Sequence, residues 1–343
     1  MLLIKIALKK SILFLSAISI FLSPSPVLAK GDSELNFQNL ISKRKNVSEI
    51  AWKKNSSVLK KSEPKLGEIK ISKGPNTIPW FNEVTKSLTL VSRSFPSFAE
   101  PNRVQVIQFN FTDLNWATSL VKSLVSAEVY DQMNQQEGGR LLESGCSFEA
   151  KTCQGSKQVT SSDGQVFLFI GVPNVIPPNN DERYKSGMLE AHEYFHSLQK
   201  NNLSNQDQKA EFWPPRWFLE GSAEWIQNAS INYKNFKKYK KYIDQECKSD
   251  QSCRTISKER ILDYLSQSNR GNGMSQYDSQ FAYSLGSKFV EILVAIKGTE
   301  PLLKIWQDSG KGIGWEMAFA KVFGEDWNTS YPKIAEAVFR NLN

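Results

Sequence analysis

The two histidines of this 343-residue chain stand four residues apart, in the segment His192-Glu193-Tyr194-Phe195-His196. On an α-helix, residues i and i+4 lie on one face, one turn apart. Two imidazoles in that arrangement can bind a single metal ion, and the glutamate between them can reach a water molecule bound to it. The spacing therefore requires a helix here and indicates a metal-dependent hydrolase.

Two histidines do not complete such a site, because zinc in hydrolases usually takes three protein ligands and keeps one position for water. With no further histidine in the chain, the third ligand must be a carboxylate or a cysteine. Downstream, Pro214 and Pro215 precede an apolar segment that predicts a helix, with Glu220 and Glu224 four residues apart on one face. Buried acids are costly without partners. We predict Glu220 as the third ligand, with Glu224 as its substitute or as the acceptor that orients one histidine.

The order of these motifs resembles a known family. H-E-x-x-H followed by W-x-x-E-G-x-A-E-W at residues 217–225 is similar to the gluzincin branch of zinc metallopeptidases, the lineage of thermolysin and the membrane alanyl aminopeptidases. In that lineage the glutamate of the E-G pair binds zinc, which here is Glu220. The resemblance implies a zincin-like fold, a Zn²⁺ cofactor held by His192, His196 and Glu220, and Glu193 as general base toward a peptide or protein substrate.

The resemblance extends over about residues 165 to 342. Tyr283 and Gly286 fit the Y-x-x-G of the aminopeptidase-like members, whose tyrosine helps to stabilise the oxyanion, and this implies the same role for Tyr283. Tyr277 and Tyr233 are alternatives. Two departures stand out: the G-x-M-E-N segment of the aminopeptidases is missing, and so is the oxyanion histidine of the thermolysin type.

The first 29 residues are typical of a secretory signal peptide. Three lysines precede an apolar run over residues 11–22, which is shorter than the roughly 18 to 20 residues of a spanning helix. We expect cleavage after Ala29, no stable membrane span afterwards, and a secreted, periplasmic or cell-envelope location. A retained membrane anchor is the alternative.

Residues 30–79 are basic and polar with weak periodicity, and we expect a basic N-terminal arm or linker there; whether it is a propeptide stays open. No nucleic-acid motif accompanies its lysines, so we predict no nucleic-acid partner. The four cysteines form two close pairs, Cys146 with Cys153 and Cys247 with Cys253. In an exported chain these favour two local disulfides over a cysteine-based zinc site.

Strand patterns come early in the chain and helix patterns come late, which favours an α+β fold. We predict a zincin-like domain over residues 80–343, with a small N-terminal sheet subdomain and a mostly helical C-terminal part. Helices at 186–200 and 215–229 carry the site. An apolar strand at 165–172 could form the sheet edge that pairs with an extended substrate, and residues 135–165 read as loop and hairpin.

Two functions are compatible with these features. The first is an exported zinc metallopeptidase that hydrolyses peptide bonds. The alternative is a non-catalytic, metallopeptidase-like envelope protein that binds zinc or a partner. The intact Glu193 favours the enzyme, because a protein without turnover has no chemical need of a base beside the water. The aromatics Trp213, Trp217, Phe218 and Trp225 are expected to pack around the site helices. Cleavage specificity and oligomeric state cannot be read from these motifs.

Overall fold

A computed structural model describes residues 34–203, 213–267 and 281–342, and in these ranges the protein is a mixed α+β structure, as predicted. The described strands are β1 (Glu68–Lys73), β2 (Arg103–Phe109), β3 (Cys146–Ser147), β4 (Thr152–Cys153), β5 (Ser156–Thr160) and β6 (Val166–Gly171). The segment expected to be a signal peptide lies outside the described residues.

Helices make up most of the described chain. They are α1 (Leu40–Lys43), α2 (Val47–Lys61), α3 (Val84–Arg93), α4 (Leu114–Leu124), α5 (Ala127–Gln136), α6 (Asp181–Lys185), α7 (Met188–Asn201), α8 (Arg216–Ile231), α9 (Phe236–Ser249), α10 (Gln251–Arg254), α11 (Lys258–Ser266), α12 (Phe281–Lys297), α13 (Pro301–Ser309), α14 (Gly314–Phe323) and α15 (Trp327–Leu342). The predicted site helices correspond to α7 and α8.

The main sheet has four strands in the order β1-β2-β6-β5. β1, β2 and β6 run parallel, and β5 pairs antiparallel with β6 at the edge. The prediction that residues 165–172 form the sheet edge is wrong, because β6 pairs with β2 on one side and with β5 on the other. The edge strand β5 lies in the segment predicted as loop and hairpin. Its side chains are mostly polar and half-buried, so it lacks the apolar run that identifies β6.

Both faces of this sheet are covered, as parallel sheets generally require. Val106 and Leu168 point into the large core that the sheet shares with α3, α7, α8 and α12. Ile107 and Phe169, from alternate positions of the same strands, point into a smaller core under α4 and α5. The site helices therefore lie on one side of the sheet only.

Residues 35–79 differ from the expected arm or linker, because they belong to one compact unit that runs from Leu35 to the C-terminus. β1 extends the sheet, and the inward face of α2 carries Ala51, Asn55, Ser56 and Leu59. The Ser56 hydroxyl donates a hydrogen bond of 2.8 Å to the backbone carbonyl of Tyr233, just after α8. Two polar residues on a buried face weaken the apolar periodicity, which explains why the sequence does not indicate this helix.

The cysteines form two local disulfides, Cys146–Cys153 and Cys247–Cys253, as predicted. The first joins the two strands of the β3–β4 hairpin, and the second links α9 to α10. Because all four thiols are consumed, a cysteine-based metal site is excluded. In the described part of the chain, no helix combines the length and apolar character needed to cross a membrane. The two disulfides are compatible with an extracellular or envelope protein.

Two glycines bring α8 and α12 into backbone contact. A Cβ atom added to Gly221 would lie 2.3 Å from the carbonyl carbon of Gly286, and one added to Gly286 would lie 2.6 Å from the carbonyl oxygen of Trp217. Real Cβ atoms do not approach other atoms so closely, so neither position accepts a side chain without movement of a helix. Glu220 directly precedes Gly221, and Tyr283 lies one turn before Gly286. The contact between the glycines therefore fixes the position of Glu220 relative to Tyr283.

We expect Gly221→Ala to lower the free energy of unfolding by about 2 kcal/mol or more, because the added methyl group meets backbone that cannot rotate away. Urea denaturation measures the change. Lys53→Ala on the exposed face of α2 is the control and should stay within about 0.5 kcal/mol of the wild type. Equal stability of Gly221→Ala and the control would contradict the tight helix crossing.

Candidate metal centre

Three side chains from two adjacent helices converge at one point. The Nε2 atoms of His192 and His196 on α7 are 3.1 Å apart. The Glu220 Oε2 atom on α8 lies 3.5 Å from the first of these nitrogens and 3.3 Å from the second. Donor atoms this close repel one another unless a proton or a cation lies between them. His192, His196 and Glu220 could therefore hold a metal ion.

Gln199 fixes the second histidine. Its side-chain oxygen accepts a hydrogen bond of 2.7 Å from His196 Nδ1, and its amide nitrogen donates one of 3.1 Å to the Leu219 carbonyl. A proton on Nδ1 leaves the lone pair of His196 on Nε2, the atom that faces Glu220. One residue thus sets the tautomer of His196 and ties α7 to the start of α8.

Glu224 lies behind the first histidine. Its Oε2 is 3.5 Å from His192 Nδ1 and 3.2 Å from an Arg183 guanidinium nitrogen. Its Oε1 accepts hydrogen bonds from the hydroxyl of Tyr242, at 3.0 Å, and from the amide of Gln227. The structure thus separates the two carboxylates of α8, because Glu220 joins the donor group and Glu224 contacts the outer nitrogen of His192.

The two carboxylates have depressed pKa values. Burial acts against ionisation of Glu220, but the two histidines outweigh it and hold its pKa well below the ordinary value. Burial opposes ionisation of Glu224 as well, and the Arg183 charge outweighs it and lowers that pKa. His192 is also buried, yet its contacts with both carboxylates raise its pKa to about 9. The site therefore stabilises positive charge between two ionised carboxylates.

Glu193 points into an open cleft beside the three donors. Its Oε1 accepts a hydrogen bond of 2.7 Å from the Ser156 hydroxyl at the start of β5. The cleft has a volume of about 460 Å³, and Glu193, the three donors and residues 156–158 all line it. A carboxylate held in this way can take a proton from a water molecule in the cleft.

Tyr283 on α12 also lines the cleft, and its ring stacks on that of His192 with centroids 6.0 Å apart. Burial, together with the charges of Glu220 and Glu193, raises its pKa above the ordinary value, so its hydroxyl stays protonated and can donate a hydrogen bond. The alternative Tyr233 is absent from the residues that line the cleft. The other alternative, Tyr277, lies outside the described residues.

The aromatic residues near the site divide into two groups. Trp217, Phe218 and Trp225 are fully buried in the large core, as predicted. Trp213 differs, because it is only partly buried and lines the cleft. The expectation of core packing therefore holds only in part for Trp213, which packs against the large core and also lines the cleft.

Five residues of the site were not indicated by the motifs: Ser156, Arg183, Gln199, Gln227 and Tyr242. Gln199 and Gln227 each lie three residues after a site residue on the same helix, so helical spacing could have pointed to them. The others reach the site from β5, α6 and α9. No local pattern in the sequence signals those contacts.

We expect Glu224→Gln to lower the affinity of this site for a divalent metal ion, tested with Zn²⁺, by about 10- to 100-fold, because it removes the charge that orients His192. Competition with a chromogenic zinc chelator measures the change, and thermal unfolding of the metal-free protein checks the fold.

Glu246→Gln is the matched control for this substitution. Burial and the Glu224 charge raise the pKa of Glu246 and so favour its protonated form, which glutamine resembles in shape and charge. Equal zinc affinity of Glu224→Gln and the wild type would argue against the orienting role of Glu224.

Comparisons with known proteins identify no relative of this chain. No protein-family model, curated protein or solved structure matches the chain. Any assignment of function therefore rests on the site itself.

Proposed function

We propose that this protein is an exported zinc metallopeptidase of the gluzincin type. The observation that carries the proposal is the convergence of His192, His196 and Glu220 at one point of an open cleft, with the Glu193 carboxylate beside them. A ligand set, a base and room for a substrate are thus present together, which is what a metal-assisted hydrolase requires.

The donor set fits zinc. Ligand atoms at about 2.0–2.1 Å from a tetrahedral zinc ion lie about 3.3–3.4 Å from one another. The three separations between the donor atoms are 3.1, 3.3 and 3.5 Å. Two imidazoles and one carboxylate are also the ligands of catalytic zinc in several hydrolases, where the fourth position takes water. His192, His196 and Glu220 would therefore hold the ion and leave one position open.

Zinc bound there would supply a Lewis acid that acidifies water and polarises a carbonyl group. The Glu193 carboxylate takes the proton of the attacking water and delivers it to the leaving amine, while Ser156 holds its Oε1 in place. Tyr283 donates its hydroxyl proton in a hydrogen bond to the oxygen on which negative charge develops. Glu224 and Gln199 keep the two imidazoles in their orientation.

The sheet edge suits an extended peptide substrate. β5 is the terminal strand, and its residues 156–158 line the cleft. A peptide that pairs with the outer side of β5 would pass beside Glu193, because Ser156, the first residue of β5, donates a hydrogen bond to the Glu193 carboxylate. We therefore propose a peptide or protein substrate, and we propose no nucleic-acid partner.

The alternative function is a non-catalytic envelope protein that binds zinc or a partner through the same fold. The Ser156–Glu193 contact favours the enzyme, because it positions a carboxylate that metal retention alone does not require. The two disulfides and the signal-like N-terminus support an extracytoplasmic location for either function.

We expect Glu193→Gln to retain zinc and to lose peptide hydrolysis by about 10²- to 10⁴-fold, because the amide cannot accept the proton. Mass spectrometry of a peptide library incubated with the protein measures cleavage, and elemental analysis measures bound zinc. Glu182→Gln on the exposed face of α6 is the control. A zinc-loaded wild type that cleaves no peptide in the library would favour the non-catalytic alternative.

Tyr283→Phe tests the oxyanion role. It removes the hydroxyl and keeps the ring that stacks on His192, so kcat should fall by about 10²- to 10³-fold with little change in KM or in zinc content. Steady-state kinetics on a peptide identified in the library separates the two parameters. Tyr233→Phe, outside the cleft, should match the wild type. An unchanged kcat in Tyr283→Phe would exclude Tyr283 from the reaction.

A further inference from the structure

The cleft contains a feature that the proposed chemistry does not use, a basic pocket beyond the metal ligands. Lys200 follows His196 by four residues on α7, so it lies on the same face about 6 Å further along the helix axis. It lines the cleft together with four apolar or aromatic side chains, and we call this group the Lys200 pocket: Lys200, Leu203, Trp213, Leu219 and Trp306.

Within the described ranges, Lys200 has no direct partner for its charge. Among the residues that the structure describes, none forms an ion pair or hydrogen bond with its ammonium group. Burial lowers its pKa, and the more distant Glu137 offsets only part of this effect. Glu137 is itself engaged by Lys157 at 3.0 Å. A half-buried ammonium group without a carboxylate is unfavourable, and an anionic ligand would relieve that cost.

The two tryptophans form an aromatic wall beside Lys200. The Lys200 ammonium lies 5.9 Å from the centre of the Trp213 ring, and Trp213 packs edge-to-face on Trp306 with centroids 6.2 Å apart. Both indole nitrogens are buried, so they are not exposed to a ligand in the cleft. Of the five pocket side chains, Lys200 alone presents a polar group to the cleft. An ammonium group can only donate, which selects for an anionic ligand that accepts hydrogen bonds.

We propose that the Lys200 pocket binds a carboxylate of the substrate, an inference that rests on the proposed peptidase function. The carboxylate belongs either to an acidic side chain beside the cleaved bond or to the C-terminus of the peptide. Both offer the same chemistry, an anionic acceptor that the Lys200 ammonium group and the apolar walls can contact. The first source makes the enzyme selective for acidic residues, and the second makes it trim peptides from the C-terminal end.

Three short peptides distinguish the sources by binding alone. They are acetyl-Ala-Ala-Glu-Ala amide, its Gln counterpart, and the Gln peptide with a free C-terminal carboxylate. Calorimetry with zinc-loaded Glu193→Gln protein measures their affinities without turnover. We expect one of the two carboxylate peptides to bind about tenfold or more tightly than the neutral peptide, as charge-assisted hydrogen bonds allow.

The same measurement in a second substitution assigns the effect to Lys200. Lys200→Met in the Glu193→Gln background should remove the preference for the carboxylate peptide. Lys122→Met is the matched control and should keep it, because Lys122 also lies over an aromatic ring but on α4, outside the cleft. Any of three results would overturn the proposal. They are equal affinity for all peptides, no binding of any peptide, and a preference for the carboxylate peptide that survives Lys200→Met and so originates at the metal.

Cleavage assays separate this inference from the proposed function. If wild-type protein cleaves library peptides without any preference for acidic residues or free C-termini, the proposed peptidase function is supported and carboxylate binding in the Lys200 pocket is refuted. If the carboxylate preference appears in binding and no peptide is cleaved, the carboxylate site stands and the peptidase is refuted.

Discussion

The backbone contact between Gly221 and Gly286 sets the geometry on which the whole site depends. At this crossing α8 and α12 come as close as two helices can, and the residues beside it belong to the cleft. Glu220 precedes one glycine, and Tyr283 lies a turn before the other. α8 in turn packs on α7, which brings the two histidines to the same point. If α8 and α12 crossed at a greater distance, the Glu220 carboxylate and the Tyr283 ring would move apart even with every site residue unchanged.

Charge compensation differs between the two carboxylates of α8. Glu224 is enclosed by Arg183, Tyr242 and Gln227, so its charge is satisfied by the protein itself. On the cleft side, Glu220 contacts the two histidines. The rear of the site is therefore fixed by internal hydrogen bonds, whereas the front retains donor capacity that a metal ion would use.

Sequence predicts the parts of this protein that depend on local spacing. Helical periodicity pairs His192 with His196 and Glu220 with Glu224, the resemblance favours Glu220 as the ligand, and β6 follows from an unbroken apolar run. The sequence does not predict elements whose buried positions hold polar residues. Examples are α2, with Asn55 and Ser56 on its buried face, and the half-buried strand β5. Nor does the sequence predict the roles of Arg183 and Tyr242, since these reach Glu224 only after distant segments have packed.

The hydrogen bond between Ser156 and Glu193 joins a strand to a helix, and it has a mechanical consequence. β5 is held to the sheet on one side only, so a chain that adds to its free side would load the strand along its length. Because Ser156 belongs to β5, a displacement of the strand would move the hydroxyl that holds the Glu193 carboxylate. A chain that paired with β5 would therefore act on the orientation of Glu193 through this hydrogen bond.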